Sequence, residues 1–222
     1  IFQKKIIFAK LGYIIIDEQH KFGVRQRKLL SDKGGDNCDV LLMSATPIPR
    51  TLTMSVYGDM DVSIIREKPS NRKEVKTYSK LENKIDEVIK FVKKEIDDGN
   101  QIFWVCPLIE ESKKLDHQSS VNKFNFLSKL FPNKVALLHG KIQNEEKELI
   151  LNKFLNKECS ILVSTTIIEV GIDFPNANVI IIENANKFGL SQLHQLRGRV
   201  GRGTKQASCI LMFKSNLSLN AK

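Results

Sequence analysis

No apolar run in this sequence approaches the roughly 20 residues that a membrane-spanning helix needs, so no membrane span is expected. Cysteine is sparse: Cys38, Cys106, Cys159 and Cys209 stand far apart, with no C-x-x-C pair. That spacing argues against a disulfide framework or a zinc site and suits a reducing, cytoplasmic setting. Cys106 and Cys209 fall inside apolar runs, where a free thiol behaves as a small core hydrophobe. The four histidines show no close metal-ligand spacing, and there is no internal repeat or low-complexity tract. An initiator Met is also absent. Lysines interrupt the apolar residues of the opening "IFQKKIIFAKLG", so it does not read as a signal peptide, and the chain is expected to begin inside something longer.

What is present is a soluble, basic composition. Of 222 residues 41% are hydrophobic, enough for a packed core, and 35 Lys and Arg outnumber 25 Asp and Glu to give a charge of +10. Such an excess favours an anionic partner, nucleic acid above all, although a solvated basic surface looks the same in composition.

Short apolar runs alternate with amphipathic stretches. "GYIIID" and "DVLLMSATP" read as strands that end in polar residues. The polar "PSNRKE" (69–74) reads as a linker. Beyond it Ile85, Val88, Ile89, Val92 and Ile96 share one helical face, with Gly99 as the stop. "QIFWVCP", "KVALLHG", "SILVSTT", "NVIIIEN" and "ASCILMF" then read as strands, separated by the helical "KFNFLSKLF", "NEEKELILNKFLN" and "SQLHQLRGRVG". This alternation predicts βαβ units and a mostly parallel sheet. The expected boundaries are 1–66, with about two strands and some helix, a linker at 67–75, a complete α/β domain at 76–214 and a polar tail at 215–222. Residues 1–66 offer too little to cover both faces of a parallel sheet, so that part reads as truncated.

Four stretches carry chemistry. Asp17 and Glu18 follow an apolar strand, where one carboxylate can hold Mg²⁺ through its water shell and its neighbour can take a proton from an attacking water. By themselves they equally suit a solvated acidic turn. In "SATPIPR", Ser44 and Thr46 are hydroxyls at a strand end, able to bond a carboxylate or phosphate or simply to cap a turn. In "STTIIEVGIDFPNA", Thr165 and Thr166 offer donors to phosphate, Gly171 permits close backbone approach and Asp173 adds a carboxylate. "QLHQLRGRVGRG" interleaves Arg197, Arg199 and Arg202 with Gly198, Gly201 and Gly203. A plain surface helix would lose about 1 kcal/mol for each interior glycine, whereas arginines that must approach phosphate closely benefit from small neighbours. His139, at the strand end within "LLHGKI", is a possible DNA contact, and Trp104 and the phenylalanines 124, 126 and 131 read as core.

Taken in order, these stretches resemble the superfamily 2 helicases: "DEQH" looks like motif II, "SAT" motif III, "STTIIEVGID" motif V and "QLHQLRGRVGRG" motif VI. "DEQHKFGVRQR", "SATPIPRTLTMSVYGDMDVS" and "IIENANKFGLSQLHQLRGRVGRG" resemble the RecG-type branch, which acts on forked DNA and Holliday junctions in recombination and repair. The resemblance runs from about Tyr13 to Phe213. It implies an α/β architecture of two RecA-like lobes with parallel sheets, ATP and Mg²⁺ as cofactors, branched DNA as partner and a monomeric parent. By the same resemblance Asp17 holds Mg²⁺ and Glu18 activates water. Gln195, Arg199 and Arg202 reach the ATP phosphates, with Arg202 the arginine finger. Gly171 and Asp173 line the nucleotide side of motif V, Thr165 or Thr166 meets a DNA phosphate, and Ser44 and Thr46 couple hydrolysis to movement.

The sequence contains no G-x-x-x-x-G-K-[ST] run. The phosphate-cradling loop, the rest of the first lobe and the family's wedge domain are therefore expected upstream of residue 1, and the isolated chain is expected to be inactive. Two other readings stand beside this one: a transcription-repair coupling translocase, and a non-catalytic DNA-binding remnant of a helicase gene.

Overall fold

The structure is a computed structural model that describes residues 1, 3, 5–18, 22–35, 37–44, 61–67, 72–107, 113–165 and 174–215, with backbone alone at residues 24 and 113–118. The chain divides into two compact units, Ile1–Ile65 and Arg66–Lys222.

In the first unit, strands β1 (Tyr13–Ile16) and β2 (Asp39–Leu42) pair in parallel, Ile16 opposite Leu42, around helix α1 (Val24–Gly34). Period two governs burial. Ile14 and Ile16 pack with Leu30 of α1, while Tyr13 and Ile15, on the other face, are 53% and 57% exposed. The Lys33 ammonium, in the last turn of α1, donates to the carbonyls of Ile1, Gln3 and Ile6 at 2.8, 2.7 and 2.9 Å and gathers the amino-terminal segment around itself.

The second unit is a six-stranded parallel sheet in the order β3-β8-β7-β4-β6-β5. Its elements are β3 (Lys76–Leu81), α2 (Ile85–Asp97), β4 (Gln101–Val105), α3 (Lys113–Leu130), β5 (Val135–Leu138), α4 (Asn144–Leu155), β6 (Ile161–Ser164), β7 (Ala177–Ile182), α5 (Leu190–Arg197) and β8 (Ser208–Phe213). β4, β6 and β7 are buried along their whole length, which is why "QIFWV", "ILVS" and "ANVIII" are near-continuous apolar runs.

The direction of travel across the sheet decides which face each helix covers. β3 to β4 and β4 to β5 run one way, through α2 and α3; β5 to β6 and β7 to β8 run back, through α4 and α5. Right-handed crossovers then place the two helix pairs on opposite faces. The cores agree. Val88, Val92 and Ile96 of α2 and Leu127 of α3 pack with Ile102, Trp104, Val163 and Ile181. Leu151 and Phe154 of α4 and Leu196 of α5 pack with Phe103, Leu162, Ile180 and Ile182. Phe103, Phe154 and Phe174 form an aromatic trio with centroids 5.3–5.5 Å apart. Trp104 is fully buried, as its apolar surroundings imply, whereas Phe126 is 41% exposed.

Strand β3 has no apolar period. Lys76, Thr77, Tyr78 and Ser79 are exposed on an outer strand held by β8 alone, where polar and lysine side chains deter pairing with another chain. The sequence reading assigned no strand there for this reason.

Candidate functional site

In the first unit the parallel register sets the carboxyl ends of β1 and β2 side by side. Met43 N–H donates to Ile16 O at 2.8 Å, so Asp17 and Glu18 leave the sheet next to Met43 and Ser44. Asp17 is exposed and Ser44 half-buried. Asp17 Oδ1 accepts the Glu18 N–H at 2.8 Å and holds a tight turn in which Glu18 takes φ 49°. That left-handed backbone costs a non-glycine residue about 1–2 kcal/mol, and such strain is concentrated at functional turns. The other predicted residue of this region, Thr46, lies outside the described residues.

In the second unit the predicted residues fall at the two ends of the sheet. Thr165 follows β6 at the carboxyl edge and is 3% exposed. His139 follows β5 at the same edge, half-buried, and its Nδ1 accepts the Lys141 N–H at 3.2 Å, which leaves Nε2 to carry the proton of the neutral ring. Thr166, Gly171 and Asp173 lie outside the described residues.

The arginine-bearing segment sits at the amino edge instead. Helix α5 runs back along its face, and Gly198 closes it with an N–H bond to His194 O at 3.0 Å. Gly201 N–H then donates at 3.3 Å to Ala177 O, at the first residue of β7. Gly201 has φ +72°, and a Cβ there would meet Ala207 Cβ at 2.9 Å; a Cβ on Gly203 would meet Pro175 O at 2.6 Å. The glycines therefore let two turns lie against the start of β7, and the arginines are carried on a tightly packed backbone. Gln195 and Arg199 are half-buried and Arg202 exposed. With β7 six residues long, the two edges are separated by about 17 Å at ~3.3 Å per residue.

Two arrangements had no signal in the sequence. Arg72, within the stretch read as linker, donates from Nη2 to Gly198 O at 3.1 Å. Lys123 and Glu183 pair at 2.6 Å at the carboxyl ends of β4 and β7, with the ammonium 5.4 Å from the Trp104 ring centre and 5.1 Å from that of Phe126. This is a point where neighbouring strands lead to helices on opposite faces, a place where open α/β sheets form crevices, and here the ion pair fills it. The remaining Glu183 oxygen lies 3.9 Å from Cys106 Sγ. Burial pushes the Cys106 thiol far above its ordinary range, so it is inert.

Residues 83–204 match the helicase conserved C-terminal domain family. The chain is 51% identical over 214 residues to the ATP-dependent DNA helicase RecG of Bacillus subtilis (strain 168), covering 96% of this chain and 31% of that protein. It is 55% identical over 219 residues to the ATP-dependent DNA helicase RecG of Aquifex aeolicus (strain VF5), covering 98% and 28%. A solved structure of RecG bound to a three-way DNA junction matches with TM-score 0.72 at 44% identity, over 100% of this chain and 28% of that one. A variant of S. cerevisiae Dbp5, bound to RNA and ADP BeF3, shares the fold at TM-score 0.65 and 18% identity, over 96% of this chain and 56% of that one. The chain thus spans under a third of the length of its RecG relatives. The parallel six-stranded unit is a RecA-like helicase lobe, and the chain belongs to the helicase conserved C-terminal domain family.

Proposed function

We propose that this chain is the carboxyl-terminal motor part of an ATP-dependent DNA helicase that unwinds or branch-migrates forked DNA and Holliday junctions. The observation that carries the reading is the match along the entire chain to RecG on a three-way DNA junction, at 44% identity.

The chemistry is phosphoanhydride hydrolysis coupled to movement on DNA. Glu18 accepts the proton of the attacking water, and its turn, pinned by Asp17, aims the carboxylate. Asp17 contributes a hard carboxylate oxygen and would hold Mg²⁺ through it or through the ion's water shell. When bound, the ion neutralises charge on the phosphates. Gln195, Arg199 and Arg202 steady the nucleotide, and the guanidiniums stabilise charge that develops on the transferring group. Gly171 and Asp173 line the nucleotide, Ser44 and Thr46 couple its hydrolysis to movement, and Thr165, Thr166 and His139 meet the DNA backbone. Residues 1–66 belong to the first motor lobe and 76–214 form the second, joined through 67–75. The whole protein acts as a monomer in the cytoplasm; among the described residues no helix is long and apolar enough to cross a membrane.

The test is Mg-dependent ATP hydrolysis by the full-length protein, with three-way junction, single-stranded DNA or no DNA, beside Glu18→Gln. Junction-stimulated turnover that Glu18→Gln lowers by at least about 100-fold is expected. Equal stimulation by single strands would refute the branched-DNA assignment. Unchanged turnover in Glu18→Gln would refute the site.

A further inference from the structure

The polar stretch before β3 is stitched to the arginine-bearing segment along its length. Arg72 Nη2 donates to Gly198 O at 3.1 Å, where α5 ends. Gln206 Nε2 donates to Glu74 O at 2.5 Å. Val75 packs into the core, its Cγ2 only 3.3 Å from where a Gly201 side chain would begin. Lys76 N–H donates to Ala207 O at 3.0 Å. Three hydrogen bonds and one close packing contact thus join residues 72–76 to positions 198, 201, 206 and 207, and Arg199 and Arg202 lie within the stretch these bracket.

A freely jointed linker would not be built this way. Arg72 is half-buried, and its guanidinium reaches the last carbonyls of a helix, where a cation is favoured both by the helix dipole and by the unpaired C=O groups. Gly198 is the residue from which Arg199 hangs. Holding its carbonyl fixes the peptide plane that leads into Arg199, and the group that holds it comes from a residue 126 positions before Gly198. The chain entering the second unit therefore reaches the arginines before it reaches the sheet.

We propose that Arg72 is a positioning residue for ATP hydrolysis, and that residues 72–76 form a strap through which the chain entering the second unit sets the placement of Arg199 and Arg202. The proposal rests on the functional reading above. Because a strap of this kind acts on where the guanidiniums lie rather than on whether ATP binds, its loss falls on turnover. A displacement of the order of an ångström in a catalytic group is enough to lower a rate by about 10- to 100-fold.

The experiment uses the full-length protein and steady-state ATP hydrolysis on a saturating three-way junction. Arg72→Ala is expected to lower kcat about 10-fold or more, with KM for ATP and junction affinity changed less than about twofold. Arg72→Lys, which can still donate to Gly198 O, is expected to recover most of the rate. In an Arg202→Lys background, Arg72→Ala is expected to cost less than about twofold further, since both changes act through one segment. Unchanged kcat in Arg72→Ala overturns the proposal, as does a full multiplicative loss in the Arg202→Lys background. A loss that merely tracks the folded fraction, read by near-ultraviolet circular dichroism, overturns it too. Should Arg72→Ala fail to fold, Gln206→Ala, which removes the tie to Glu74 O, carries the same comparison, and wild-type kcat in that variant would count against the strap. If Glu18→Gln retains full turnover the functional reading itself has failed; if Glu18→Gln is inactive and Arg72→Ala is not impaired, only the strap has failed.

Discussion

Replacing Lys123 by Met keeps the length of the side chain and its packing while removing the charge at the carboxyl ends of β4 and β7. Lys123 Nζ is 2.6 Å from Glu183 Oε1, and the two side chains are 21% and 11% exposed. Stranding one member of a fully buried pair costs about 3–5 kcal/mol. Partial access of water at Lys123 places this site at the lower end, and the lost contacts with Trp104 and Phe126 add about 0.5–1 kcal/mol. Lys123→Met should therefore destabilise the second unit by about 4 kcal/mol. Glu183→Gln should cost only about 1 kcal/mol, because the ammonium retains its two aromatic faces and a path to water. The double variant should cost at least ~1 kcal/mol less than the sum of the singles, the coupling expected of contacting charges. Urea unfolding of the full chain followed by tryptophan fluorescence reads this directly, since the single Trp of the sequence is Trp104, fully buried beside the pair. A cost below about 0.5 kcal/mol for Lys123→Met, or strict additivity in the double variant, would refute the claim that the pair is stabilising.

The remaining predictions concern the amino edge and the core thiols. Gly201→Ala should destabilise by about 2 kcal/mol, from the left-handed backbone and the 2.9 Å approach to Ala207 Cβ, and should lower ATP turnover in the full-length protein; a stability loss without any effect on turnover would separate that turn from the arginines. Burial pushes the Cys209 thiol up to about 11 from an ordinary 9.0, and Arg197 pulls it back only in part. Burial raises Cys159 likewise to about 11. Above pH 9 the unfolded chain loses thiol protons that the folded chain keeps, so both contributions to stability are present below that pH and fade as it rises from 9 through 11. Urea midpoints at pH 7, 9 and 10.5 should fall less steeply in Cys209→Ala than in the parent, and identical slopes would contradict the assignment.

How much of this was legible in the sequence depended on how local the cause was. The central strands declared themselves because burial on both faces demands uninterrupted apolar residues, as in "ANVIII". Helix α2 did so through its apolar face, where Val88, Val92 and Ile96 are buried. β3 was missed because an outer strand is selected against hydrophobicity. "YIII" is as continuously apolar as the central strands, yet among the described residues only Ile14 and Ile16 are covered. Arg72 and Lys123 were illegible for a different reason. A guanidinium that closes a helix 126 residues away leaves no period or motif around itself, and "PSNRKE" is as polar as any solvated loop. Motif spacing exposed the arginines and glycines of 192–203, but not the backbone that holds them.

The topology brings the predicted residues of the second unit to two edges of one sheet. Thr165 leaves β6 at the carboxyl edge, and Phe174, which leads into β7, lies at the amino edge, locked in the aromatic trio with Phe103 and Phe154. Helix α5 crosses back the same way, from the end of β7 to the turn that Gly201 fastens on Ala177. Two consecutive crossings therefore connect the edge that carries the candidate DNA contacts with the edge that carries the arginines. The strands between them are wholly buried, and close-packed interiors transmit displacement rather than absorb it. A Cβ on Gly203 would come 2.6 Å from Pro175 O, so only glycine lets the arginine segment lie this close to the chain emerging into β7. The arginine-bearing segment and the chain that enters β7 are therefore packed against each other at one edge of the sheet, and a side chain at position 203 would force them apart.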